Sequence, residues 1–502
     1  MERYIRVTNN RSVPVDSIPV LEYADFVSVN LELLHNNPSM HCVNYFGYES
    51  QGDVNLFCCI ADDKNADICV SASVVNKGDS LESMTALNHN FEKFEREIFE
   101  NFGIEFIGHP WLKPVRYAHN RANKQQTIEN YQFFKSNEEE LHEVGVGPIH
   151  AGVIEPGHFR FICNGEQILH LEIQLGYQHR GIESLFLTKK KLIERETLAE
   201  NIAGDTTVGH TTAFVNLWES LCDVEPDESL HLCRTIAQEL ERIAIHTGDL
   251  AAICADIAYQ LGNSVYGRLR TPIVNFLQEW CGNRFAKGLI RAGKCNYPFT
   301  AELANRLRII LDNYQPDFEE ITAKFSKLPS ALSRMEKTGV VTYDQVLEIG
   351  TVGMSARMSG LNRDIRWSHP YNLYGKVVKH NPVLKHHGDV YSRFQIRKEE
   401  IRQSIDYLRM LISDLPSCSY STVRTELKPQ PSRFVISLVE GWRGEICHCA
   451  ITDENAELAH YKVKDPSFHN WMVLAQAVRN NEISDFPVCN KSFNLSYCGH
   501  DL

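Results

Sequence analysis

The stretch GPIHAGVIEPGHFRF (Gly147–Phe161), continued by LGYQHRGIESL (Leu175–Leu185), decides the reading of this chain. Two short runs hold three histidines, two glutamates, two arginines and two prolines among repeated glycines. Glycine and proline fix a turning backbone. Histidine, glutamate and arginine supply groups that hold a redox centre, move a proton or dock a partner. FRFIC and ILHLEIQL inside and after the first run are apolar or alternate, so the block reads as strand, turn, strand.

Outward from this block the chain divides into parts. Residues 1–115 read as a small α/β domain: VNYFGYES, VNLFCCIADD and ADICVSASV are strand-like runs. Phe91, Phe94, Ile98 and Phe102 then recur at helical spacing, with Gly103 placed to end the helix. Residues 116–143 are polar and poor in aliphatics and read as a linker. Residues 144–502 read as a larger, mainly helical domain with small β elements at both ends; the last, RFVISLVEGWRGEICHCAITD, alternates around Gly441 and Gly444. The fold class expected is therefore α+β.

Composition narrows the partners. The net charge of −13 and the lack of a basic stripe argue against a nucleic-acid partner. MERYIRVTNNRSVPVDS holds no apolar run of the signal-peptide type, and no apolar stretch is long enough to span a bilayer. The 15 cysteines are scattered without a C-x-x-C, as expected of reduced, mostly buried thiols. Lys462 and Lys464 read as a solvated basic face of a strand.

Several motifs carry a family resemblance. FEREIFENFGIEFIGHPWL (Phe94–Leu112) resembles the signature of the complex I C-type protein, a docking domain, on Glu95, Arg96, Glu97, Phe102, Gly103, Ile104, Gly108, His109 and Pro110. The Gly/His block resembles the large subunit of group 4 nickel–iron hydrogenases and, more distantly, the complex I D-type protein. Matching residues include Gly147, Pro148, His150, Glu155, Pro156, His158, Arg160, Gly176, His179, Arg180, Gly181 and Glu183. TGVV (Thr338–Val341), DIR (Asp364–Arg366), GDVYSRFQIRKEEIRQS (Gly388–Ser404), RGE (Arg443–Glu445) and DPSF (Asp465–Phe468) extend the resemblance in family order.

The departures bear on function. Such hydrogenases hold nickel and iron through two C-x-x-C pairs. Aligned on His210 and Phe214, the first pair falls on Ala203 and Thr206; aligned on Ser492 and Asp501, the second falls on Ser496 and Gly499. Nickel in this setting needs soft anionic sulfur, and alanine and glycine offer no donor at all. No metal is expected on this chain. The quinone pair of the D-type protein, a histidine in the early turn and a tyrosine at the helix start, is also incomplete: His150 matches the histidine, but the tyrosine position is Gly204.

What remains is a set of ionisable groups: Glu155, His158, Asp205 and His210, expected to relay protons or bind a small polar ligand, with His150 and Arg443 toward a cofactor and His179 and Arg180 toward a partner. Asp205 has a second reading as a helix N-cap. The resemblance implies a peripheral subunit on the cytoplasmic face of a membrane complex. It implies an iron–sulfur small subunit as partner, carrying the cluster, and antiporter-like membrane subunits beneath. A quinone-reducing subunit, or a scaffold whose cavity is inactive, are the alternatives.

Overall fold

The computed structural model describes residues 2–152, 154–413 and 427–502; Val153 of the opening block and Cys418 lie outside this description. The strand-like runs near the N-terminus form one twisted sheet. Met40–Ser50 pairs antiparallel with Asp53–Asp62, which pairs with Asp67–Val75, and Ile5–Thr8 closes the edge. The helix Glu92–Phe102 packs its apolar stripe on this sheet and ends at Gly103, whose φ of 72° is the left-handed turn that glycine takes without a Cβ penalty.

The Gly/His block becomes an antiparallel sheet of His142–Val146, His158–Asn164 and Gln167–Gln174. Between it and the C-terminal region lies the helical body, built on Thr207–Leu221, Glu228–Asp256, Gln260–Cys281, Ala301–Phe325 and Val390–Ser413. A last sheet orders Leu458–Lys464, Glu445–Thr452 and Arg433–Glu440, and the short strand Val13–Pro14 from the opposite end of the chain adds to its edge.

The two ends of the chain share one core. Phe57 stacks on Phe434 at 5.8 Å between ring centroids, and Phe46 on His460 at 5.1 Å, so the N-terminal sheet packs against the C-terminal one. Residues 116–141 form no helix or strand, yet Arg116 is buried: it pairs with Glu97 and donates to the His500 carbonyl at 2.7 Å. Lys462 joins the same knot, at 2.5 Å from Glu97 and 3.0 Å from Glu183. Lys464 pairs with Glu445. The solvated basic face is thus corrected: both lysines are buried, because carboxylates from neighbouring elements meet them inside.

Within the helical body, Arg242, Arg357 and Arg366 meet Glu239, Asp364, Glu400 and Glu440, all shielded from solvent. Burial, then the charge of Asp364, pushes the Glu440 carboxyl up to about 8. Three guanidinium ions therefore balance three carboxylates, and the fourth acid holds its proton near neutrality. Among the described residues no disulfide forms, and only Cys222, Cys295 and Cys498 are not fully buried.

Candidate functional site

The helix Thr207–Leu221 begins where the resemblance placed a metal-binding turn. Its N-cap is Thr206, which makes no side-chain cap. Asp205 does not cap it either. Its carboxylate turns to Arg443, which donates to Oδ1 and Oδ2 at 2.7 Å each. The open backbone N–H groups of Val208 and Gly209 are instead accepted by Glu241 at 2.7 and 3.2 Å, from the neighbouring long helix. Burial pushes the Glu241 carboxyl up to about 8 despite those two donors.

Arg443 joins the two segments that would carry thiolates. It donates to Thr206 Oγ1 at 3.1 Å on one side and to the Asn494 carbonyl at 2.5 Å on the other. Its guanidinium also lies 3.9 Å from the Trp442 ring centroid. Burial opposes its charge, but the Asp205 carboxylate more than restores it and raises the guanidinium above its ordinary value. Asp205 is 37% exposed while Arg443 is 4% exposed, so the pair forms a mouth with one wet side.

The C-terminal arm is closed in a different way. Ser496 caps the last helix, Tyr497–Asp501, by accepting from Gly499 N–H at 2.9 Å. A Cβ placed on Gly499 would stand 2.7 Å from Asp465 Oδ2 and 2.8 Å from Ser496 Oγ. The space of a fourth ligand side chain is filled by carboxylate. Ala203 is buried, and among the described residues no group of three or more His, Cys, Asp or Glu is arranged to hold a metal ion. The residues present do not fit a nickel–iron centre.

Asp465 also ends a hydrogen-bonded chain. Asp465 Oδ2 lies 3.0 Å from His210 Nε2, His210 Nδ1 lies 3.1 Å from His448 Nε2, and His448 Nδ1 lies 2.8 Å from the Tyr461 hydroxyl. All four side chains are buried. The partner order, Tyr461 to His448 to His210 to Asp465, lets the donors run one way. Burial, then the neighbouring His210, pushes His448 well below the usual histidine range. Burial alone would raise Asp465; the hydrogen bond and charge of His210, then the charge of Arg443, hold it below the ordinary carboxylate value.

The other expected residues lie apart from this chain. His158 bonds Gly147 O through Nδ1 at 3.0 Å and accepts from Arg160 at 3.3 Å. Burial lowers its pKa, and the ring braces the turn against the strand. His150 bonds Gly157 O at 2.8 Å. Glu155 lies against Cys498, whose thiol burial and the nearby carboxylate push up to about 12. The set Glu155, His158, Asp205 and His210 is therefore not one hydrogen-bonded cluster. His179 bonds Asp501 O at 2.8 Å, and Arg180 donates to the carbonyls of Asn201, Ile202 and Cys498. These two tie the C-terminal helix to the turn before Asp205.

Sequence reasoning passed over Glu241, His448 and Tyr461, and quoted Asp465 only as a motif residue. One signal was available: His448 stands opposite Val463 in antiparallel register, which puts Tyr461 on the same face one diagonal away.

Comparison with known proteins accords with this architecture. Residues 21–121 match the family described as "Respiratory-chain NADH dehydrogenase, 30 Kd subunit", and residues 263–435 match "Respiratory-chain NADH dehydrogenase, 49 Kd subunit". Hydrogenase-4 component G of Escherichia coli is 26% identical over 80% of this chain and 72% of its own length. The C/D protein of NADH-quinone oxidoreductase from Phocaeicola vulgatus is 26% identical over 75% of this chain and 78% of its own. The D protein of NADH-quinone oxidoreductase from Dehalococcoides mccartyi is 30% identical over 68% of this chain and 93% of its own. The chain belongs to the complex I and hydrogenase-related family, with domains of the 30 Kd and 49 Kd types joined in one polypeptide.

Proposed function

We propose that this chain is a peripheral, cytoplasm-facing subunit of a membrane-bound complex I-like complex and carries no nickel–iron centre of its own. Its work is coupling: electrons arrive at an iron–sulfur cluster in a partner subunit, and the response of the buried acid–histidine chain is passed to antiporter-like membrane subunits that move ions. The observation that carries this reading is the Asp465 carboxylate standing where a Gly499 side chain would project, with Arg443 bonded to both arms of the lost site. An ion pair and a proton-bearing chain take the place of thiolates. Among the described residues no helix is long and apolar enough to cross a membrane, which suits a protein held there by membrane partners.

The test is purification of the chain, tagged at its natural level, from detergent-solubilised membranes. An iron–sulfur protein and antiporter-like membrane proteins are expected to co-purify. Recovery of the chain alone, without a membrane fraction, would overturn the proposal.

A further inference from the structure

A cavity lies where the N-terminal domain meets the Gly/His sheet and the helix Ser467–Ala477. It measures about 300 Å3, and a neighbouring pocket of about 210 Å3 shares Glu92, Lys93, Met472 and Gln476 with it. Trp111, Tyr131, Leu175 and Trp471 supply flat and apolar wall. A volume of this order takes a ring-bearing small molecule.

Most charges around it are already spent. Arg96 pairs with Glu92 and donates to the carbonyls of Lys113 and Pro114. Glu172 accepts from Lys113, from the Tyr131 hydroxyl and from Phe134 N–H. Lys113 lies 4.0 Å from the Trp111 ring centroid.

Lys93 differs. Among the described residues its ammonium has no ion pair and no hydrogen bond; its nearest ring is Phe468, at 5.8 Å. Burial pushes it down to about 7 against the pull of Glu92, so it gains from an incoming negative charge. Arg479, exposed at the opposite rim, likewise has no side-chain partner among the described residues. Lys93 and Arg479 are thus two unspent cations beside one aromatic wall.

We propose that this cavity binds a small ring-bearing carboxylate, its ring between Trp111 and Trp471 and its carboxylate on Lys93. One partly buried, unspent cation matches one negative charge. The apolar wall rejects a strongly hydrated anion such as free phosphate, whose desolvation it does not repay. Because the walls come from both domains, an occupant also holds the domains together. The site is separate from the Asp205–Arg443 mouth, so it stands whether or not the coupling role does.

The test uses 2-naphthoate and its neutral analogue 2-naphthylmethanol, titrated into the full chain and followed by tryptophan fluorescence and calorimetry. Saturable naphthoate binding at least about tenfold tighter than the alcohol is expected, from the worth of a charged hydrogen bond. Lys93→Met is expected to remove that preference while leaving the alcohol's affinity unchanged. Absence of saturable naphthoate binding, equal affinity for the two probes, or naphthoate binding that Lys93→Met does not weaken would each overturn the proposal. If the variant fails to fold, the ratio of the two probes on the unaltered chain decides.

Discussion

Asp465 Oδ2 stands 2.7 Å from the point where a Cβ on Gly499 would lie, closer than real Cβ contacts come. Gly204, by contrast, has nothing within 4 Å of its Cβ direction. The two glycines lie in the two segments that align with the hydrogenase ligand motifs, yet one faces packed carboxylate and the other open space.

Gly499→Ala is therefore expected to lose about 1–3 kcal/mol of stability through overpacking, although alanine favours the helix. Gly204→Ala is expected to stay within about 0.5 kcal/mol of the unaltered chain. Urea unfolding of both variants measures the difference; equal stabilities would show that Asp465 yields freely.

The Asp205–Arg443 pair joins a half-exposed carboxylate to a buried guanidinium. A double-mutant cycle on Asp205→Asn and Arg443→Met is expected to give a coupling of about 1–3 kcal/mol, below a fully buried pair because solvent reaches Asp205. Coupling near zero would mean that the two segments are held by packing alone.

Glu97 holds Arg116 and Lys462 across the domain junction. Glu97→Gln leaves buried Arg116 without its carboxylate while Glu183 still serves Lys462, at a cost of about 2–4 kcal/mol. The N-terminal domain should then unfold in an earlier, separate transition, visible by calorimetry.

Glu241 gives a pH dependence with a defined sign. Its folded pKa, near 8, lies above the ordinary glutamate value of 4.5, so its contribution to stability is complete below that value and is lost as pH rises toward 8. Glu440, also near 8, and Glu95, near 7, act in the same direction. Glu241→Gln is expected to flatten the decline between about pH 5 and 8 in denaturant titrations. A variant with an unchanged slope would contradict the buried acid.

The α+β class, the strand pair around FRFIC and the stop at Gly103 were legible because they rest on local periodicity and turn chemistry. That Ala203, Thr206, Ser496 and Gly499 stand at the positions aligned with the hydrogenase cysteines was read through the family resemblance. Lys462 and Lys464 were misread, since a charge pair on a strand says nothing of carboxylates brought to it from Glu97, Glu183 and Glu445, far away in sequence. His158 and Asp205 take separate hydrogen-bond partners, which shared motif membership does not reveal. Asp465 gained its role only when the end of the chain folded back to place Gly499 against it.

On the proposed function, the Asp205–Arg443 pair and the Asp465–His210–His448–Tyr461 chain stand where a hydrogenase would hold its metal. Elemental analysis of the complex, purified from cells grown with ample nickel, tests it most directly. No nickel above background is expected, together with no hydrogen uptake. Nickel stoichiometric with this chain would contradict the account.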